Sequence, residues 1–338
     1  MAKVAVIGAG AWGTALAAHA ARHDHDVWLW AREEEVAHDV EHRHENHLFL
    51  EGVPLPTSLH GSTDVARVCS GAELVILVPP SAHLRAVAAS VAPHVPSGVP
   101  VAIATKGIEN GSLKLMAAVA EDVMPAVLPS CISVLSGPSF AREVASGLPT
   151  DVVVASRTEA TSSRVAEIMH APTFRVYTTT DVVGVELGGA LKNVLAIAAG
   201  ACDGLAMGTN ARAALVTRGL AEMARLGVAL GGQPLTFMGL SGVGDLILTA
   251  TGPLSRNRAL GMKVAEGIDA AAYLASQRTV AEGYLTAKAA WQLAQAKGVD
   301  VPITEQVYHV LHEGRPLFEA MKQLLTRAQK HELWGFTP

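Results

Sequence analysis

The sequence predicts an α/β chain: an N-terminal doubly wound, mostly parallel sheet followed by an all-helical C-terminal domain. Three observations predict it. Short continuous apolar runs alternate with helix-like segments from residue 3 to about residue 180. A glycine-rich turn follows the first run and opens the first helix. After about residue 183 the strand pattern stops, and apolar residues recur only at helical spacing. The 338 residues suit two domains at about 150 residues each.

The elements follow in order. Lys3 to Ile7 is a short apolar strand, Gly8 to Gly13 the turn, and a helix starts by Thr14. Asp26 to Trp30 is the second strand, and the helix between the two has the length of a parallel crossover. Glu73 to Val78, Pro100 to Thr105 and Cys131 to Ser136 are further strands, with Asp151 to Ala155 and Phe174 to Thr178 the last. Continuous runs of this kind suit a parallel sheet covered on both faces. Val185 to Gly204 predicts one long helix, apolar on most sides and therefore buried. Helices over 210–228, 256–267, 281–297, 304–313 and 316–329 complete the second domain. The Pro-rich stretch from Pro93 to Pro100 is a surface connection.

Composition narrows the function. Half of the residues are hydrophobic and 17% are charged, which excludes a disordered chain. A net charge of −5 argues against a nucleic-acid binder. No run approaches ~18 uninterrupted apolar residues, so no transmembrane segment is expected. Cys69, Cys131 and Cys202 lie far apart and form no CxxC pair, as in a reducing compartment. Met1 to Val4 leads straight into a strand and carries no signal-peptide pattern. These features point to the cytoplasm.

The turn Gly8-Ala9-Gly10-Ala11-Trp12-Gly13 is a GxGxxG in the setting that gives the motif meaning, after a strand and before a helix. Gly8 permits the tight turn, Gly10 lets backbone approach a pyrophosphate, and Gly13 lets helix pack on strand. The first domain is therefore a Rossmann-type dinucleotide-binding domain, residues 1–187. The second, 188–338, is a helical substrate-binding and catalytic domain. An acidic residue at the end of the second strand would accept from a ribose 2′-OH. Ala31-Arg32 stands there instead, and Arg32 suits a 2′-phosphate. This points to NADP(H), with NAD(H) also used because Glu33 to Glu35 follow at once.

Candidate chemistry is spread along the chain. Lys106 and the segment Gly137-Pro138-Ser139 end two predicted strands, where such sheets bind ligands. A solvated turn lysine and a plain turn are the alternatives. Lys192 lies in the apolar helix, where a lysine is costly unless paired or functional. It is read either as a proton-transfer group or as a lysine snorkelling from the helix edge. Asp245 closes the glycine-dense Gly239 to Gly244 and either orients such a lysine or caps a helix. Ser255-Arg256-Asn257-Arg258 predicts a capped helix start whose two arginines form an anion site. A surface turn with incidental arginines is the alternative. His38, His42, His44 and His47 form a charged stretch, and no metal site is expected there.

Taken together, these segments resemble the bacterial NAD(P)-dependent glycerol-3-phosphate dehydrogenases. The resemblance is carried by Gly8 to Ala17, Ala104 to Gly107, Leu135 to Ala141, Glu186 to Val194, Gly242 to Asp245, Ser255 to Asn257 and Val280 to Gly283, in family order. It implies reversible reduction of dihydroxyacetone phosphate to sn-glycerol 3-phosphate, supplying glycerophospholipid synthesis. It implies that Ala11, Trp12, Arg32, Ala141, Arg256, Val280 and Glu282 contact the cofactor, and that Lys106 serves cofactor and substrate. Gly137, Ser139, Asp245, Ser255, Arg256 and Asn257 would contact the substrate, and Lys192 would transfer the proton. No metal is called for, since lysine polarises the carbonyl. Ala11 departs from the serine common at its position, which removes a hydroxyl contact but keeps the backbone N–H. Other two-domain dehydrogenases, such as ketopantoate-type reductases, are rivals, as is a nicotinamide-binding sensor without turnover. A homodimer is expected of such a helical domain, although no stripe identifies its face. The apolar end, Glu332 to Pro338, is expected either to dock or to fray.

Overall fold

The computed structural model describes residues 1–278, 280–329 and 331–332. The expectation for the apolar end beyond Glu332 lies outside the described residues. Contacts divide the chain into two units. A sheet unit comprises Met1–Lys106 and Lys114–Val185, and a helical unit comprises Gly107–Leu113 and the described residues from Glu186 onward.

The sheet unit has eight strands: β1 (Lys3–Ile7), β2 (Asp26–Trp30), β3 (Leu59–Ser62), β4 (Leu74–Leu77), β5 (Val101–Ile103), β6 (Ile132–Ser136), β7 (Thr150–Ser156) and β8 (Phe174–Thr179). They lie in the order β3-β2-β1-β4-β5-β6-β7-β8. All neighbours are parallel except β6 and β7. The chain is thus a mostly parallel, doubly wound Rossmann-type sheet followed by helices. β4 and β6 are buried at every residue, which is why they read as continuous apolar runs. β3 was not foreseen. Its Leu-His-Gly-Ser carries turn residues, and Gly61 is required because a Cβ there would sit 2.4 Å from the Ala37 carbonyl oxygen.

Helices of the sheet unit are α1 (Ala11–Arg22), α2 (Glu34–His42), α3 (Val65–Cys69), α4 (Leu84–Val91), α5 (Met116–Val123), α6 (Ala141–Ala145) and α7 (Glu159–Met169). α1 is built of alanine and other small residues and is buried from Gly13 to Ala21. It packs into a core with Val6, Leu29, Ile76, Leu135 and Phe174.

α8 (Val182–Gly204) begins three residues before the predicted start, where Asp181 Oδ1 accepts the Gly184 N–H at 2.9 Å. It is the one described helix long and apolar enough to cross a membrane, and 89% of that stretch is buried. Glu186, Lys192 and Asn193 interrupt its apolar run without lowering the average far. The later helices are α9 (Gly208–Ala229), α10 (Asp245–Thr251), α11 (Arg256–Ala265), α12 (Ala270–Ala275), α13 (Glu282–Lys297), α14 (Pro302–Glu313) and α15 (Leu317–Leu325). α12, too short to show a period, was not foreseen, and α10 was foreseen only as the helix that a capping Asp245 would open. Val194, Ile197, Leu260, Ala287 and Val307 form a core among α8, α11, α13 and α14.

Candidate active site

Strand order reverses between β1 and β4, the point at which open α/β sheets bind ligands past their strand ends. The β1–α1 loop lies there. Gly8 has φ +118°, and a Cβ on it would lie 3.0 Å from the Val78 carbonyl carbon just beyond β4. A Cβ on Gly13 would lie 1.9 Å from the Gly8 carbonyl oxygen, so only glycine lets α1 start here. Gly10 is different, because a Cβ on it would meet nothing within 4 Å. No side chain caps α1, which leaves its positive N-terminal end to a ligand. The Trp12 indole N–H is buried without a partner among the described residues. An open approach over Gly10, an uncapped helix end and an indole donor without an acceptor fit the pyrophosphate of a dinucleotide.

Asn46, which sequence reading passed over, braces this loop. Its Nδ2 donates to the Ala9 carbonyl at 2.9 Å and to Thr14 Oγ1 at 2.8 Å, and its Oδ1 accepts from Phe49 N at 3.1 Å. Arg32, just past β2, is exposed and donates to Glu33 Oε1 from Nε at 3.0 Å and from Nη2 at 2.6 Å. Beyond β5 and β6, Lys106 Nζ and Ser139 Oγ both donate to the Gly137 carbonyl, at 3.1 and 3.0 Å. Gly137 has φ +130° and approaches Val152 too closely for a side chain. Two predicted side chains thus converge on the carbonyl oxygen of a third predicted residue, and Ala141 begins α6 nearby in sequence.

In the helical unit, α8 meets the turn before α10 at two levels. A Cβ on Gly188 would lie 2.5 Å from the Ser241 carbonyl oxygen, so the backbones touch there. Four residues further along each chain, Lys192 Nζ donates to Asp245 Oδ1. Positions four apart share one helical face, so the first contact sets up the second. Gly242 makes the turn possible, since a Cβ on it would lie 2.1 Å from the Phe237 carbonyl oxygen. Asp245 is the first residue of α10 rather than its cap, and it and Lys192 are buried. Thr249, one turn on and not foreseen, accepts from Lys192 Nζ at 3.0 Å and donates to the Asp245 carbonyl at 2.6 Å. Burying two charges is tolerable only with partners such as these. Its signal was the four-residue spacing from Asp245.

Next to Lys192, Asn193 Oδ1 accepts from Asn257 Nδ2 at 2.8 Å. Asn257 Oδ1 in turn accepts the Gly283 N–H at 2.9 Å, just inside α13. Ser255 caps α11, its Oγ accepting the Arg258 N–H at 3.2 Å. Arg256 keeps an exposed surface. It stays charged and reachable even though surrounding atoms desolvate it and lower its pKa, which the charge of Glu282 opposes. Glu282 opens α13, and Val280 is exposed just before it. The expectation of two arginines in one anion site is corrected. Arg258 turns away to Asp203, with Nε at 2.8 Å and Nη2 at 2.7 Å from Oδ2, which leaves Arg256.

His38 and His42 touch edge-on with ring centroids 4.7 Å apart. Among the described residues no three His, Cys, Asp or Glu side chains gather as a metal would require. An apolar cavity of about 570 Å³ between α8, α9, α14 and α15 is lined by none of the candidate residues.

Models of the NAD-dependent glycerol-3-phosphate dehydrogenase N-terminus and C-terminus match residues 3–162 and 181–322. A glycerol-3-phosphate dehydrogenase [NAD(P)+] of Geobacter sulfurreducens is 51% identical over 332 residues, covering 98% of this chain and 99% of its own. The crystal structure of glycerol-3-phosphate dehydrogenase from Coxiella burnetii superposes with TM-score 0.91 at 39% identity, over 96% of this chain and 99% of that one. A ketopantoate reductase family structure from Ralstonia eutropha reaches TM-score 0.59 at 17% identity, over 94% and 99% of the two chains, a likeness of fold alone. With both models matched in order along one chain, it belongs to the NAD-dependent glycerol-3-phosphate dehydrogenase family.

Proposed function

We propose that this chain is an oxidoreductase that reversibly reduces dihydroxyacetone phosphate to sn-glycerol 3-phosphate with NADPH or NADH. The observation that carries the reading is the buried Lys192–Asp245–Thr249 group, adjoining the Asn193–Asn257 pair on α8 and α11. Bound NAD(P)H supplies the hydride for the carbonyl carbon. As negative charge grows on the carbonyl oxygen, Lys192 donates a proton to it, and the secondary alcohol results. Asp245 and Thr249 hold the lysine ammonium in place. Arg256, Asn257 and the first turn of α11 take the phosphate, with Ser255 shaping that turn. Lys106 adds positive potential for cofactor and substrate, Gly137 and Ser139 contact substrate, and Ala141, Val280 and Glu282 contact the cofactor. Gly8, Gly10, Ala11, Trp12 and Gly13 receive its pyrophosphate.

NADPH is read as the preferred cofactor because Arg32, standing where a ribose-reading carboxylate would follow β2, can exchange its pairing with Glu33 for a 2′-phosphate. The product serves glycerophospholipid synthesis in the cytoplasm, a setting that suits three free cysteines. A homodimer belongs to the same reading, supported by exposed Phe318 and Leu325 on α15.

Purified protein is mixed with dihydroxyacetone phosphate, and oxidation of NADPH and of NADH is followed, with ketopantoate as the control ketone. Rapid oxidation with the phosphate substrate alone is expected. Oxidation with ketopantoate, or with neither, overturns the substrate. Arg32→Asp should lower the NADPH to NADH ratio of kcat/KM by about tenfold or more, as loss of a charge-assisted pair implies. An unchanged ratio would assign the 2′-phosphate to other residues.

A further inference from the structure

We propose that Asp203 is a positioning residue for phosphate recognition, acting through Arg258 on the first turn of α11. The proposal rests on the reading that Arg256 and Asn257 take the substrate's phosphate. Asp203 lies eleven residues after Lys192 on α8, three turns and about 20° round, so both face the same side. Its carboxylate accepts from two arginines of two other helices. Arg212 of α9 donates from Nη1 to Oδ1 at 3.0 Å and to Oδ2 at 3.2 Å. Arg258 of α11 donates from Nε at 2.8 Å, with Nη2 at 2.7 Å.

The turn Ser255–Arg258 is thereby anchored twice. Its backbone is held by the Ser255 cap on the Arg258 N–H, and its last side chain is held by Asp203. Arg256 and Asn257 stand between these anchors. There is little slack behind them. A Cβ on Gly200 would lie 2.0 Å from the Arg258 carbonyl oxygen, and one on Gly261 would lie 2.0 Å from that of Ile197. α11 therefore lies backbone to backbone on α8, and the ion pair fixes the rotation of its first turn. Asp203 has a second effect. By engaging Arg258, two residues from Arg256, it withdraws a guanidinium group that would otherwise compete with Arg256 for a phosphate dianion.

Asp203→Asn should raise the KM for dihydroxyacetone phosphate about tenfold, as weakening charge-assisted bonds implies. It should leave kcat within about threefold and NADPH affinity unchanged, and inorganic phosphate should become a stronger inhibitor. Asp203→Glu, which keeps the carboxylate, should recover most of the KM. Arg258→Met should add little to the KM effect of Asp203→Asn, since the two act as one unit there. If Asp203→Asn does not fold, Arg258→Met, which leaves Asp203 with Arg212, carries the same expectation for KM, with no gain in inhibition by inorganic phosphate. Arg256→Met separates the two readings. If it raises KM while Asp203→Asn and Arg258→Met do not, the positioning role is overturned. If Arg256→Met itself leaves KM unchanged, the phosphate site is overturned. A fall in kcat with a lower melting temperature and unchanged KM makes Asp203 merely structural and overturns the proposal.

Discussion

In the sheet unit, Gly8 and Gly137 occupy turns at strand ends with φ of +118° and +130°, and Gly10 faces open space at the start of α1. In the helical unit, Gly188, Gly200, Gly261 and Gly283 sit within helices, where a Cβ would fall 2.0 to 2.5 Å from a neighbouring backbone oxygen. The same residue type does opposite work. In the first unit Gly10 opens space beside backbone N–H groups for something that is not protein, while Gly8, Gly13 and Gly137 shape the loops around it. In the second, glycine removes space, so that two backbones touch and the polar side chains beside them are forced together. A mid-helix glycine costs about 1 kcal/mol against alanine. That cost is accepted where it seats Lys192 on Asp245 and Asn193 on Asn257.

The sharpest test is the side chain that the close packing delivers. Lys192→Met should lower kcat by about 10²–10⁴-fold, the usual worth of a general acid, with NADPH affinity unchanged. It also removes the buried cation that Asp245 pairs with, so stability should fall by roughly 3–5 kcal/mol. Adding Asp245→Asn should restore much of that stability and none of the turnover. Turnover near normal in Lys192→Met would remove the lysine from proton transfer.

A smaller effect addresses the comparison itself. Gly188→Ala pushes a methyl into the Ser241 carbonyl and should destabilise by about 1–3 kcal/mol, as overpacking does. Turnover should fall with it and NADPH affinity should not. Gly10→Ala has room for its methyl, so stability should stay within about 0.5 kcal/mol. Its NADPH affinity should fall about tenfold, because the methyl stands where backbone would bond phosphate. Thermal melts and cofactor titrations of the pair decide the matter. Equal losses in both would erase the distinction between space-making and space-removing glycines.

The same difference decides which parts of the site are legible in the sequence. The β1–α1 loop was legible because strand, turn and helix are contiguous, and each glycine has a local reason. Lys192 was legible as a lysine inside an otherwise apolar stretch of helix. The partners were not. Asp245, Thr249 and Asn257 reach α8 from 53, 57 and 64 residues away. Asn46 braces Ala9 across 37 residues. Spacing rules do not extend over such distances, so Asp245 stayed divided between cap and partner. Arg258 was assigned to the anion site for the same reason, because Asp203 lies 55 residues earlier in the chain. β3 was lost to its own composition, whose turn residues serve the close passage of α2.

The smallest expected effect is a pair of opposed pH slopes. In the sheet unit, burial pulls His19 down to about 4, with its Nε2 2.8 Å from the Met169 carbonyl oxygen. In the helical unit, burial pushes Glu222 up to about 7, although it accepts the Ile303 and Thr304 N–H groups at 2.7 and 3.1 Å. For His19 the unfolded chain binds the proton more tightly. Its contribution is complete above pH 6.5 and is lost as pH falls through 4. For Glu222 the folded chain binds the proton more tightly. Its contribution is complete below pH 4.5 and is lost as pH rises through 7. Neither slope exceeds about 1.4 kcal/mol per pH unit. Denaturant unfolding at pH values between 4 and 7.5 isolates each one. Relative to the wild type, Glu222→Gln should gain stability as pH rises from 4.5 to 7, and His19→Gln should lose it as pH rises from 4 to 6.5. Parallel curves for the wild type and Glu222→Gln would mean that Glu222 stays ionised while holding the start of α14. The helical unit would then solvate a buried carboxylate as well as it pairs a buried lysine.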